Sequence, residues 1–310
     1  MQPRTVFMGS PEFALPVLQA LVELYPVVGV VTQPDRPAGR GKILTPPPVK
    51  VLAEQYRLPI IQPQRLSQPD AFAQLAAWAP ELIVVAAFGQ ILRPQVLDLP
   101  RHGCINVHAS LLPRWRGAAP IQAAILHGDS ETGVTIMRMD PGIDTGGMLS
   151  QRALPIQPDD TASSLSARLA EVGARLLVET LPAYLEGRIS HQVQDEQFAT
   201  YAPMLKKEDG ALDFQKPAAE LARQVRAYDP WPGTFLEWNG QPVKVLQAHA
   251  FPEARINWDT QLKPGAKLRS GNLPAVKAAE GLLILDVLQP AGKKPQMGAE
   301  FLNGAREWGR

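Results

Sequence analysis

The chain has one cysteine, Cys104, in 310 residues. A single thiol can build neither an internal disulfide framework nor a cysteine-rich zinc site. A reducing, cytoplasmic setting is therefore expected. No apolar run reaches the roughly 18–20 residues that span a bilayer. The start, Met1-Gln2-Pro3-Arg4, has no basic segment leading into a long apolar core, so no signal peptide and no membrane association are expected. H-E-x-x-H and paired Cys/His spacings are missing, and no metal is expected. The dinucleotide fingerprint G-x-G-x-x-G and the P-loop are missing too, so neither NAD nor ATP is indicated. Ser110 does not sit in G-x-S-x-G and is a poor hydrolase nucleophile. Charge is nearly balanced at 31 Lys+Arg against 30 Asp+Glu. Its distribution says more: a modest basic bias in the C-terminal part and in one loop would suit a phosphate-rich partner, the competing reading being an ordinary solvated surface.

What is present begins as an α/β pattern. Residues 4–9 (RTVFMG) read as a buried strand, followed by a helix with apolar positions Phe13, Leu15, Val17, Leu18, Leu21 and Leu24. Ser10 before Pro11 reads as the helix N-cap. Residues 27–32 (VVGVVT) form a second strand. Residues 82–88 (LIVVAAF) are almost continuously apolar, as in a central parallel strand covered on both faces. Strands are also expected at 104–108, 132–139 and 149–154, and a long helix at 162–185. The fold class is thus a Rossmann-like, doubly wound, mostly parallel sheet.

The C-terminal third changes character. Residues 188–205 are polar and read as a linker. Strand-like runs follow at 234–238, 243–251, 275–278 and 282–288, with Asn239-Gly240 as a hairpin turn. Short strands and turns suggest a small OB-like β-barrel, a fold often used on nucleic acid. The expected division is a catalytic domain at 1–189, a linker at 190–205 and a barrel at 206–310. Those segments carry net charges of zero, −2 and +3. Residues 33–50 (QPDRPAGRGKILTPPPVK) form a long loop with net charge +3 and five prolines. It reads as extended and mobile. Either it is a surface insertion or it is an anion-contacting flap with Arg40 and Lys42 near its tip.

Two stretches carry chemistry: residues 103–120 (GCINVHASLLPRWRGAAP) and 139–147 (MDPGIDTGG). In a strand, Asn106 and His108 are two apart and share a face, with Ile105 and Val107 packed behind. The run breaks at Ser110-Leu111-Leu112-Pro113, where a strand of an α/β sheet hands polar residues to a crevice. An amide donor beside an imidazole suits acyl-type transfer: the amide holds an oxyanion and the imidazole handles a proton. Asp144, in the glycine-rich loop, is the carboxylate candidate. Its competing reading is a turn cap. His102, His127, His191 and His249 have no motif partners and read as structural or exposed.

Asn106-Val107-His108 with Ser110-Leu111-Leu112-Pro113, followed by Asp144-Thr145-Gly146, resembles the motif set of the 10-formyltetrahydrofolate-dependent formyltransferases. The resemblance implies that Asn106, His108 and Asp144 are catalytic and that Ser110, Leu111, Leu112 and Pro113 contact the folate. It implies 10-formyltetrahydrofolate as formyl donor and no metal. The 34–50 loop and the C-terminal RAYDPWPGTF (226–235) and GAEFLNG (298–304) resemble the members acting on methionyl initiator tRNA, in translation initiation. In those members the loop contacts the tRNA acceptor end. This places Arg36, Arg40 and Lys42 as tRNA contacts, with Ile43 where a further lysine would stand. A monomer is expected.

Overall fold

The computed structural model describes residues 2–38, 41, 43–251 and 262–309. Arg40 and Lys42 lie outside the described residues. The chain divides into two compact units. Residues 1–120, 131–155 and 166–203 make the first; residues 121–130, 156–165 and 204–310 make the second.

A seven-stranded sheet organises the first unit. Its order is Met148–Pro155, Glu131–Arg138, Cys104–His108, Leu82–Ala86, Thr5–Gly9, Val27–Val31, Ile60–Ile61. The five strands from Cys104–His108 to Ile60–Ile61 are parallel, and the other two join antiparallel. Thr5–Gly9, Leu82–Ala86 and Cys104–His108 are buried at every residue. That burial is what the apolar run of Leu82–Ala86 requires of a central parallel strand, and Cys104–His108 is buried although Asn106 and His108 interrupt its apolar residues. The winding reverses between Thr5–Gly9 and Leu82–Ala86. In open α/β sheets a ligand crevice opens at the carboxyl ends beside such a reversal.

Local chemistry differs from the sequence expectation at the first turn. Pro11 is followed by a 3₁₀ turn at Glu12–Ala14 before the helix Leu15–Leu24, and no side chain caps either. Ser10 instead accepts hydrogen bonds from Thr32 Oγ1 (3.3 Å) and Gln33 N (3.1 Å). The hydroxyl is spent joining the ends of two parallel strands rather than the helix. Further along, Gly173 lets the helix Ala162–Leu185 lie close on the sheet. A Cβ at Gly173 would meet Val107 Cγ1 at 2.8 Å, so the side chain between Asn106 and His108 is packed hard from behind.

The loop of residues 33–50 carries ordered structure in its described part. Arg36–Ala38 pairs antiparallel with Ile43–Thr45. Its base is tied by Lys50 Nζ and Gln62 Nε2, which donate to Asp35 at 2.7 and 2.6 Å. The Gln62 amide and then the Lys50 ammonium hold the Asp35 carboxyl below its usual range.

The second unit contains an antiparallel sheet in the order Thr234–Trp238, Gln241–Phe251, Leu282–Pro290, Leu273–Lys277, Lys267–Ser270, with Gln296–Met297 beside Leu282–Pro290. The expected hairpin closes at Asn239 (φ 50°) and Gly240 (φ 69°), with Trp238 opposite Gln241. Both residues take the positive φ that a type I′ turn needs. Phe301 and Trp308 pack at 5.3 Å and Trp238 closes the cluster.

Cys104 is 1% exposed, and burial pushes its thiol from 9.0 up to about 12. The native protein should give no colour with a disulfide reagent near pH 8, and one thiol after denaturation. The sign for stability follows. In the unfolded chain the thiol ionises near its ordinary value, whereas the folded form stays protonated. Its contribution is therefore complete below pH about 9 and is lost as pH rises towards about 12. Rapid native labelling at pH 8 would contradict the buried placement.

Candidate active site

The crevice side of the Cys104–His108 strand presents two polar groups. Asn106 sits in register between Val85 and Met137, and His108 is paired with Thr135. Both side chains are largely buried, at 9% and 6% exposure. Both reach the same carboxylate. Asn106 Nδ2 donates to Asp144 Oδ1 at 3.4 Å, and His108 Nδ1 stands 3.6 Å from that oxygen. These are long approaches, and a shorter one fixes the carboxylate: Gly117 N donates to Asp144 Oδ2 at 2.9 Å.

The histidine is held chiefly from the other side. His108 Nε2 lies 3.0 Å from the Trp115 carbonyl. A carbonyl only accepts, so Nε2 carries a proton and Nδ1 faces Asp144. The Trp115 carbonyl therefore orients the imidazole, and Asp144 stands where a second ring proton would point.

The turn-cap reading of Asp144 falls to another residue. Asp140 Oδ1 accepts from Gly142 N (3.1 Å) and Thr145 Oγ1 (2.7 Å), closing the loop on itself. Asp144 takes φ 53°, a left-handed conformation uncommon for a non-glycine residue. Its carboxylate leaves its own loop and meets groups from two distant segments. Gln194 Nε2 donates to the carbonyls of Asp144 (2.7 Å) and Gly146 (2.8 Å).

The 110–113 turn is built from the sheet outward. Thr135 Oγ1 donates to Ser110 O at 2.7 Å and accepts from Leu112 N at 3.1 Å. Gln151 Nε2 donates to Leu112 O and to Thr135 Oγ1. Ser110 is fully buried and its hydroxyl donates to Arg114 O at 2.6 Å. Leu112 is buried as well, whereas Leu111 and Pro113 are half-buried. Arg36 is exposed, with its Nη2 donating to Gln33 Oε1 at 3.2 Å.

A cavity of about 500 Å³ lies in the same unit, lined by Gln64, Ser67, Gln90, Arg93, Pro94 and Pro141 among others. Gln90 follows the carboxyl end of the Leu82–Ala86 strand, and Pro141 belongs to the loop that carries Asp144. None of Asn106, His108 and Asp144 lines it. Sequence reading missed this cavity, and also Thr135, Gly117, Arg116 and Gln194. Each is an ordinary polar or glycine residue whose partner lies far away in sequence. No cluster of three or more candidate metal ligands occurs among the described residues. No helix among them is long and apolar enough to cross a membrane.

Comparison with known proteins gives the family. The formyl transferase family model matches residues 4–181, and the model of the formyl transferase C-terminal domain matches residues 204–306. A methionyl-tRNA formyltransferase of Halorhodospira halophila is 52% identical, with 99% of this chain and 97% of that protein aligned. Those of Myxococcus xanthus and Geobacter sulfurreducens are 48% and 46% identical, each over 98% of this chain and 95% and 94% of theirs. Among solved structures, the N-formyltransferase of Helicobacter canadensis with folinic acid and dTDP-3-aminofucose superposes with a TM-score of 0.67. It is 18% identical and covers 94% of this chain and 100% of that one. HypX of Aquifex aeolicus with tetrahydrofolic acid gives 0.63 at 17% identity over 97% of this chain. This chain spans only 47% of HypX. At such identities these two structures attest the fold. The family models and the close relatives make the protein a one-carbon group transferase, on a fold shared with these solved structures. The chain belongs to the formyl transferase family, in its N-terminal and its C-terminal parts alike, and it transfers a formyl group.

Proposed function

We propose that the protein moves the formyl group of 10-formyltetrahydrofolate to the α-amine of methionyl initiator tRNA, for translation initiation. The observation that carries this is the convergence of Asn106, His108 and Gly117 on the Asp144 carboxylate at the strand ends. The full-length identity to methionyl-tRNA formyltransferases supports the acceptor.

The folate fits the residues present. A cavity of about 500 Å³ is within the range of small-molecule sites, and its lining sets apolar Leu66, Ile91 and Leu92 beside the Gln64 and Gln90 amides and two basic residues, Arg65 and Arg93, which suits a heterocycle with hydrogen-bonding edges and an acidic tail. Leu111 and Pro113, the half-buried members of the 110–113 turn, serve as further folate contacts. Ser110 and Leu112 keep the backbone of that turn in place.

The residues divide the work by their atoms. The neutral amine attacks the formyl carbon, and the carbonyl oxygen gains negative charge. One Asn106 amide hydrogen is committed to Asp144; the other is available to that oxygen. His108 Nδ1 takes the proton that the amine sheds, and Asp144 stabilises the resulting imidazolium. As the carbon–nitrogen bond to the folate breaks, the proton passes to the leaving nitrogen. His108 then returns to its starting form. No residue in the cluster is a credible nucleophile, so attack is direct, through a tetrahedral intermediate. A formylated enzyme trapped in a single-turnover quench would overturn this.

Residues 1–189 carry the chemistry in this reading, residues 190–205 connect, and residues 206–310 bind RNA. Arg36, Arg40 and Lys42 contact the tRNA, on a loop where Arg36, Ile43 and Leu44 are exposed. The protein acts as a cytoplasmic monomer.

The test is transfer of labelled formyl from 10-formyltetrahydrofolate to methionyl initiator tRNA, with uncharged tRNA and free methionine as controls. Only the charged tRNA should be labelled. Turnover of folate with another amine alone would move the acceptor elsewhere. Arg40→Ala should raise KM for methionyl initiator tRNA several-fold while leaving folate affinity unchanged, as expected for removing a phosphate contact. A parent-like KM for the tRNA would argue against a tRNA-reading loop.

A further inference from the structure

Asp144 stands at φ 53° on a glycine-rich loop, which by itself gives its carboxylate no fixed direction. Gly117 N holds the carboxylate itself, and the main chain that carries it is held from residues 192–202. Gln194 is 5% exposed and uses every hydrogen-bonding group of its amide. Its two N–H groups go to the carbonyls of Asp144 and Gly146, on either side of Thr145. Its oxygen accepts from Arg116 Nε at 3.0 Å.

Arg116 has no solvent exposure. Its Nη1 and Nη2 donate to the two Glu196 carboxylate oxygens at 2.9 and 2.7 Å, a two-pronged pairing that fixes the guanidinium plane. Its backbone is fixed as well, since Arg116 and Gly117 pair in parallel with Tyr201 and Ala202. Gly117 N, one residue along, is the donor to Asp144 Oδ2. Arg116 therefore approaches Asp144 twice. One route runs through its own chain to the carboxylate, and the other through Gln194 to the main chain. Gln192 adds a reciprocal backbone bridge to Met148, just past the loop.

We propose that Gln194, locked by Arg116, is a positioning residue that aims the Asp144 carboxylate at Asn106 and His108. The arrangement exceeds what folding needs. A buried arginine and a fully satisfied amide are spent on two carbonyls of one loop, and apolar packing would hold that loop to the sheet without choosing a direction for Asp144. Groups that hold a reacting residue in line act on turnover more than on substrate binding, because small misplacements are felt mainly in the transition state.

The inference rests on the catalytic reading of Asp144, and a double-mutant cycle separates the two. Turnover is measured with 10-formyltetrahydrofolate and methionyl initiator tRNA for Gln194→Met, Asp144→Asn and the double variant. Methionine keeps the volume of the glutamine and removes its hydrogen bonds. Gln194→Met should lower kcat on the order of 10- to 100-fold, with KM for the folate nearly unchanged. In the Asp144→Asn background the same change should cost less than about two-fold, because the residue it acts through is already disabled. Glu196→Gln, at the exposed end of the relay, should cost less than Gln194→Met. A kcat for Gln194→Met within two-fold of the parent, or effects that multiply in the double variant, would overturn the positioning role and leave Asp144 catalytic. Full activity of Asp144→Asn would overturn both. A crystal structure of Gln194→Met reads the geometry without any acceptor. The Gly117 N to Asp144 Oδ2 contact should open from 2.9 Å, and its retention would refute the proposal.

Discussion

Replacing Asn106 with alanine should lower kcat roughly 100- to 1000-fold, which corresponds to about 2.7–4 kcal/mol for one lost oxyanion donor. Asn106 is the amide best placed for that role. It lies on a strand buried at every residue, with Val107 pressed from behind against the helix that carries Gly173. It therefore cannot relax away from the crevice, and water that replaces it will not be oriented. His108→Ala should fall in the same range by a different route. It removes the acceptor at Nδ1 and leaves the Trp115 carbonyl without its donor. Folate binding should change little in both, since neither side chain lines the cavity. Steady-state kinetics with folate affinity measured separately would check this. A kcat within a few-fold of the parent would remove these residues from the chemistry.

The second large effect needs no reactive group at all. Gly146→Ala should cost on the order of 100-fold in kcat, and stability besides, though it adds a single methyl. A Cβ at Gly146 would lie 1.9 Å from the Arg138 carbonyl oxygen, which is backbone of the sheet and cannot step aside. The loop must move instead, and with it Asp144, two residues earlier, and the carbonyl that Gln194 holds. Gly147→Ala should be milder, because its contacts, with His191 Cδ2, Cγ and Cβ at 2.5–2.7 Å, are longer than the 1.9 Å approach at Gly146 and do not involve the sheet backbone. Turnover and thermal melting of the two variants give the comparison. Parent-like activity of Gly146→Ala would mean that the loop tolerates movement of the size assumed.

Much of this was legible before any coordinates. An unbroken apolar run bounded by turn signals suits a strand covered on both faces, and Leu82–Ala86 is such a strand. Asn106 and His108 share a face because strand side chains alternate, and both reach Asp144. Asn239-Gly240 marked its hairpin because few other pairs accept two positive φ values. Ser10 shows where such reasoning goes astray. The same hydroxyl that could cap a helix is as well satisfied by Thr32 and Gln33, and only the folded sheet puts those within reach.

Local sequence thus determined the strands, their order of appearance, the shared face of the amide and imidazole, and the glycine-rich loop that frees a carboxylate. Those features depend on backbone periodicity and on what each residue type permits at its own φ and ψ. The tertiary structure alone decided which carbonyl orients His108, that Asp140 rather than Asp144 caps the loop, and that Gln194 and Arg116 hold the carboxylate in place. These are hydrogen bonds between groups up to dozens of residues apart. A polar side chain carries no mark of a distant partner until burial removes the water that would otherwise satisfy it.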